Sequence, residues 1–246
     1  DPVIHFGVGG VKQIEEVNIT WPDGRNQKIE NVKSNQLMTL KYSDSERSDQ
    51  DQSQDRKIFT EITIEGLQQF VHEENEFDDF QHQILLPHMM SRLGPAVAIA
   101  DVNGDGKTDI FIGGAKDTAP KVYTQNEDGS YSVSKFPASE AIYEDVSASF
   151  FDADNDGDQD LYVVSGGNDF EAGSNGYMDR LYLNQGGQMI RSEALPEFIV
   201  SGGIVVAEDY DLDGDLDLFV GGRQLPRKYP MPVSSYLLEN VSQNGQ

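Results

Sequence analysis

The chain has 246 residues, with 43 acidic against 18 basic side chains, a formal net charge of −25, and no cysteine. That balance argues against nucleic acid and anionic membrane as partners, since both are held through Lys and Arg patches. The missing cysteine excludes disulfides, thiolate metal sites and thiol nucleophiles. At 37% hydrophobic and 25% charged the composition is that of an ordinary soluble protein, and no apolar run approaches the ~18 residues of a membrane span, so no membrane insertion is expected. The chain opens at Asp1-Pro2 with neither an initiating Met nor a signal peptide, which reads as a processed product or an excised piece.

Residues 1–44 read as a small β-rich module. Val17, Ile19 and Trp21 alternate with Asn18 and Thr20, Pro22-Asp23-Gly24 supplies a turn, and Lys28 to Val32 returns. That pattern is a hairpin with one buried face, with Trp21 as its expected core anchor. Leu37 to Tyr42 is expected to add another strand. The stretch resembles the ASPIC/UnbV family through His5-Phe-Gly-Val-Gly9, Val17-Asn-Ile-Thr-Trp-Pro-Asp-Gly24, and Glu30-Asn-Val32 followed by Asn35-Gln36. The resemblance places no chemistry on a residue here. It implies company with calcium-loop repeats in secreted bacterial proteins.

Residues 43–57 carry no apolar side chain, and such a segment cannot bury enough surface to offset its ordering entropy. Residues 45–57 are therefore expected to be a polar linker, leaving 58–246 as the main domain.

That domain is repetitive. Asp101-Val-Asn-Gly-Asp-Gly-Lys-Thr-Asp109 recurs as Asp152-Ala-Asp-Asn-Asp-Gly-Asp-Gln-Asp160 and Asp209-Tyr-Asp-Leu-Asp-Gly-Asp-Leu-Asp217, starting 51 and then 57 residues apart. Each copy sets oxygen-bearing side chains at positions 1, 3, 5 and 9: Asp101, Asn103, Asp105 and Asp109; Asp152, Asp154, Asp156 and Asp160; Asp209, Asp211, Asp213 and Asp217. Hard divalent cations require such oxygen cages, and calcium accepts six to eight oxygens in flexible geometry. Position 7 (Lys107, Asp158, Asp215) would give its backbone carbonyl, and the glycine at position 6 permits the sharp turn between early and late ligands. About three calcium ions are expected.

The same nine positions would fit an EF-hand, which also needs a bidentate Glu at position 12 and flanking helices. Position 12 is Ile112, Val163 and Val220, and the flanks are short β-branched and aromatic runs. The EF-hand reading fails, and each loop is expected to join two antiparallel strands. A further matched run follows each loop (Lys121–Asn126, Arg180–Asn184, Ser235–Asn240), then a polar turn, then in the first copy another strand, Tyr131–Phe136. Four antiparallel strands in ~50 residues make one blade of a β-propeller.

The three copies of loop plus strand, over residues ~94 to 246, resemble the FG-GAP/VCBS repeats of integrin-like and bacterial calcium-binding propellers. The resemblance implies metal between the first two strands of each blade. The expected fold is all-β, a partial propeller of about three to four four-stranded blades beside the N-terminal β module. Phe59–Ile64 and Gln83–Leu86 are expected strands of a further partial blade lacking a metal loop. Because a propeller closes with about four to eight blades, further blades of the same or another chain are expected to complete it.

Other signals are weaker. His72-Glu-Glu-Asn-Glu76 lacks the second histidine of a zincin, and no Walker loop, G-x-S-x-G or Rossmann fingerprint is present. No catalytic residue is assigned. Gly166–Asp179, carrying Phe170 and Tyr177, is a candidate recognition loop, though an ordinary inter-strand loop is the simpler reading. The basic, proline-rich Arg223–Pro232 reads as scaffold. The sequence thus points to a non-catalytic, calcium-stabilised scaffold, secreted or at the cell surface, for adhesion to protein or glycan. The rivals are the propeller domain of a secreted carbohydrate-active enzyme and a structural spacer.

Overall fold

A computed structural model describes residues 4–46, 59–68 and 70–242. The chain divides into two compact units, Asp1–Ile62 and Thr63–Gln246. Most of the polar stretch, 47–57, and the last polar turn lie outside the described residues.

In the first unit β1 (Gln13–Thr20) and β2 (Asn26–Lys33) form an antiparallel hairpin. Its turn closes through Trp21 N–H to the Arg25 carbonyl at 2.8 Å and Gly24 N–H to the Trp21 carbonyl at 2.9 Å. Gly24 sits at φ +84°, where a side chain would be strained. Trp21 packs edge-on against Tyr42 with ring centroids 5.4 Å apart and is only half buried. A two-stranded hairpin has too little face for a closed core, and Val32 is its one buried apolar side chain among the described residues. Leu37–Tyr42 is not a strand: it runs irregularly into a short 3₁₀ turn at Tyr42–Asp44, with Leu37 exposed.

The second unit is built from three antiparallel sheets. The first is β3 (Val97–Ala100), β4 (Asp109–Ile112), β5 (Lys121–Gln125) and β6 (Tyr131–Lys135), paired in chain order. The second repeats it with β7 (Asp145–Phe151), β8 (Asp160–Ser165), β9 (Arg180–Asn184) and β10 (Met189–Ser192). The third holds β11 (Ser201–Glu208), β12 (Asp217–Gln224) and β13 (Tyr236–Leu238). This is an all-β partial propeller, and each aspartate loop joins the first two strands of its sheet.

Strand β8 shows why the sheets stack. All six of its residues are buried. By the two-residue period of a strand, Leu161 and Val163 join Phe111, Val122 and Tyr182 between the first and second sheets. Tyr162 and Val164 face the other way, among Leu181, Val205, Leu218 and Val220. The second sheet is thus covered on both faces. The outer two are open in part on the other: in the first sheet Phe70 packs on the buried Tyr123 while Val97 and Ile99 are 56% and 64% exposed, and in the third Ile204, Val206, Phe219 and Leu237 are exposed.

The region before β3 contains no fourth blade among its described residues. Phe59–Ile64 is irregular, and Gln83–Leu86 forms a turn after α1 (Asp79–His82), a single helical turn capped by Asp78 accepting from Phe80 N–H. An alternating pattern becomes a strand only where a partner face exists, yet Phe59 is 85%, Ile62 71%, Ile84 82% and Leu85 80% exposed.

Candidate metal centres

The three loops share one hydrogen-bond plan. The aspartate at position 1 gathers the turn: Asp101 accepts from the N–H groups of Gly104 (2.8 Å), Asp105 (3.1 Å) and Gly106 (2.7 Å). Asp152 accepts from Asp156 and Gly157, and Asp209 from Asp213 and Gly214. Gly106, Gly157 and Gly214 lie at φ +80°, +91° and +104°, as the sharp turn requires.

The aspartate at position 9 is buried and ties three pieces together. One oxygen accepts from the N–H of position 2: Val102 to Asp109 at 3.0 Å, Ala153 to Asp160 at 2.8 Å, Tyr210 to Asp217 at 3.2 Å. The other accepts from the end of the third strand or just beyond it: Gln125 to Asp109 at 2.9 Å, Asn184 to Asp160 at 2.7 Å, Asn240 to Asp217 at 2.7 Å. Asp109, Asp160 and Asp217 are therefore structural whether or not metal is bound, a role that their spacing alone did not reveal.

Electrostatics separate the first loop from the others. Lys107 sets its ammonium 3.0 Å from Asp105, and that hydrogen bond lowers the Asp105 pKa. The second and third loops have an aspartate there instead. Carboxylate oxygens of Asp152, Asp154 and Asp156 lie within 4.8 Å of one another, as do those of Asp209, Asp211 and Asp217. Burial, then Asp156 and Asp152, raise the Asp154 pKa; burial, then Asp213, raise that of Asp211. Burial pushes Asp160 up to about 6. One buried oxygen each of Asp154 and Asp215 has no hydrogen-bond partner. All-oxygen donor sets with mutual repulsion and unpaired buried carboxylate oxygens fit a hard divalent cation.

A second repeated contact escaped the motif reading. Asn184, at the end of β9, donates to the Val102 carbonyl in the loop of the first sheet at 2.7 Å and to Gln159 in its own. Asn240 does the same one sheet on, to Ala153 at 2.9 Å and Leu216 at 3.3 Å. Each asparagine thus fastens its sheet to the loop of the sheet before. The equivalent Asn126 bonds instead to its own turn, at Ser130 and Ser132. The sequence signal was present, since all three runs end in Asn, but the acceptors lie over 80 residues away.

The opposite end of the sheets, where the Gly-Gly turns lie, carries no repeat chemistry. Arg180, 1% exposed, pairs with Asp145, reaches Glu140 at 3.6 Å and stacks 4.0 Å over the Tyr143 ring. Gly113 makes room for this cluster, because a Cβ there would stand 2.5 Å from that of Asp145. Asp179 accepts from Tyr162 OH at 2.9 Å and Ser165 N–H at 2.8 Å, and burial raises its pKa to about 7. In the candidate recognition loop Tyr177 is 1% exposed and both donates to and accepts from the Phe170 backbone. Its ring anchors the loop rather than facing solvent. Arg227 is likewise held by Asn168, Asp169 and Glu171.

Two four-stranded antiparallel sheets and a three-stranded one, stacked in sequence and each with an aspartate loop between its first two strands, define a partial β-propeller of repeated blades. Residues 80–163 match the family model described as FG-GAP-like repeat, and residues 1–47 the one described as ASPIC and UnbV. The chain carries both modules. No curated protein matches it.

Proposed function

We propose that this chain is a non-catalytic, calcium-stabilised propeller scaffold that works outside the cell or at its surface and binds protein or glycan. The observation that carries the metal reading is the oxygen cage of the second loop, where Asp152, Asp154 and Asp156 converge and one buried Asp154 oxygen lacks a donor. Asp152, Asp154, Asp156 and Asp160 would hold the ion, with the Asp158 carbonyl, and their counterparts would do so in the other loops. The ion would neutralise clustered carboxylates and pin the first hairpin of each blade. Extracellular modules bind calcium at ~10⁻⁴–10⁻³ M, an affinity suited to an external milieu.

The exposed apolar rows on the outer sheets, Val97 and Ile99 on one side and Ile204, Val206, Phe219 and Leu237 on the other, support a scaffold that takes further blades, from this polypeptide or another. Apolar faces of this kind promote association. Val205, Leu218 and Val220, which a bare count of apolar strand residues would add to those rows, are buried between sheets, and Ile112 is buried on the outer face of the first sheet. Calorimetry with calcium and with chelator tests the metal reading: melting should fall in chelator and recover with calcium. An unchanged melting curve overturns it. Sedimentation at micromolar concentration tests the open faces, and a compact 27.3 kDa monomer would overturn that part.

A further inference from the structure

On the reading that the outer faces take further blades, we infer that those blades belong to a second copy of this chain, stacked head to tail. The contact required is already made twice within the chain, from first to second sheet and from second to third. The two open faces are its two halves.

Strand register identifies them. Two positions beyond the last aspartate of each loop, the side chain points to the following sheet. Phe111 and Tyr162 are fully buried there, cross-strand from the buried Val122 and Leu181. Phe219 holds the same position in the third sheet, cross-strand from Leu237, and the two are 48% and 53% exposed. One position beyond the aspartate, the side chain points back instead. Leu161 and Leu218 are buried against the preceding sheet, opposite Phe150 and Ala207 on the first strands. In the first sheet Ile110 and Ile99 hold these positions, and Ile99 is exposed. The third sheet thus carries an unused forward face and the first an unused backward face, each with apolar residues where the internal contacts have them.

One corner of the backward face is already filled as it is inside the stack. Phe136, just beyond β6, stands edge-on to Tyr182 of the second sheet with ring centroids 4.9 Å apart. Tyr123 occupies the Tyr182 position in the first sheet, and Phe70 meets it edge-on at 6.3 Å. Phe70 therefore supplies the ring that Phe136 supplies within the stack. The Val97 and Ile99 row beside it stays open to an incoming sheet.

A contact between unlike faces either closes into a ring or runs on as a filament. Three sheets from each of two copies make six, inside the range of about four to eight at which propellers close. Closure by two copies removes both apolar faces, whereas pairing of like faces would leave the other one in water.

Sedimentation velocity on the full chain at micromolar concentration tests the arrangement. Wild type should run as two copies, at twice 27.3 kDa. Phe219→Asp and Ile99→Asp each bury an unpaired charge in the contact, so each should weaken association by ~100-fold or more. Both residues are exposed in the single chain, and far-UV circular dichroism should be unchanged. An equimolar mixture of the two variants should pair again at about tenfold higher concentration, because one contact per pair then joins two unaltered faces. Loss of association in only one variant would mean that like faces meet. That result overturns the head-to-tail arrangement and leaves the outer faces as binding surfaces. Association that survives both substitutions, a mixture that stays monomeric, or a mass that climbs past two copies would each overturn it in the same way. A monomeric wild type would instead remove the underlying reading that these faces take further blades.

Discussion

The two ends of the blades handle buried carboxylates in opposite ways. At the loop end, Asp109, Asp160 and Asp217 repeat one arrangement three times, held by backbone N–H groups of the loop and the third strand. At the glycine-turn end, Asp145 pairs with the buried Arg180, and Glu140 is shared between Arg180 at 3.6 Å and Arg191 at 3.3 Å. The first is met by backbone N–H groups, and the second by charged side chains. Repetition therefore lies where backbone groups satisfy the acids, and individuality where long side chains do.

The contrast is easiest to break at Arg180. Arg180→Met would leave the buried Asp145 without its cationic partner, a loss of about 3–5 kcal/mol, measured by denaturant unfolding. The loss should be the same in calcium and in chelator, because the internal cation is independent of metal. A loss below ~1 kcal/mol, or one that depends on calcium, would erase the distinction between the ends.

Next in size, taken site by site, is calcium at the loops. An ion held at a hundred times its dissociation constant adds about 2.7 kcal/mol per site, so saturating calcium should raise the melting temperature clearly. The second and third loops should account for most of it, since Lys107 already neutralises Asp105 in the first. Lys107→Asp should bring the first loop into line and increase the calcium-dependent shift. A smaller shift would mean that Lys107 does not act as a built-in counter-ion.

Smaller again is the fastening between sheets. Asn184→Ala strands the Val102 and Gln159 carbonyls and should cost about 1–3 kcal/mol, read from urea unfolding. Asn126→Ala, which loses only turn contacts within its own sheet, should cost under ~1 kcal/mol. Equal losses would show that the inter-sheet contacts add nothing.

The smallest effect tests the loop register. Asp156→Ala should weaken calcium binding more than Asp158→Ala by isothermal titration, since the former removes a ligating side chain and the latter replaces one that contributes its carbonyl. Asp156 also accepts from the Asp158 N–H at 2.8 Å, so its loss loosens the turn as well. Equal affinities would move the register.

The loops, the strands on either side of them and the strand order within each blade were legible in the sequence because each depends on local chemistry. Glycine at positive φ, aspartate beside its own turn amides and alternating β-branched residues act within about ten positions of one another. The same local reading failed where no neighbour completed the pattern. Phe59–Ile64 alternates like a strand yet remains irregular with Phe59 and Ile62 exposed, because a strand needs a ladder to join. Conversely, Met189–Ser192 carries little signal and still forms β10, paired onto β9.

What only the tertiary structure decided is which repeated residues meet across sheets. The sequence by itself determined that three aspartate loops with glycine at their sharp turn would recur between strands. It could not show that Asn184 reaches Val102, that Asn240 reaches Ala153, or that Arg180 reaches Asp145. Those contacts span from about 35 to more than 80 residues, and they exist because strands pair within a sheet and sheets then stack on one another. Side chains at sheet ends then become neighbours through packing, which leaves no spacing for a sequence to display.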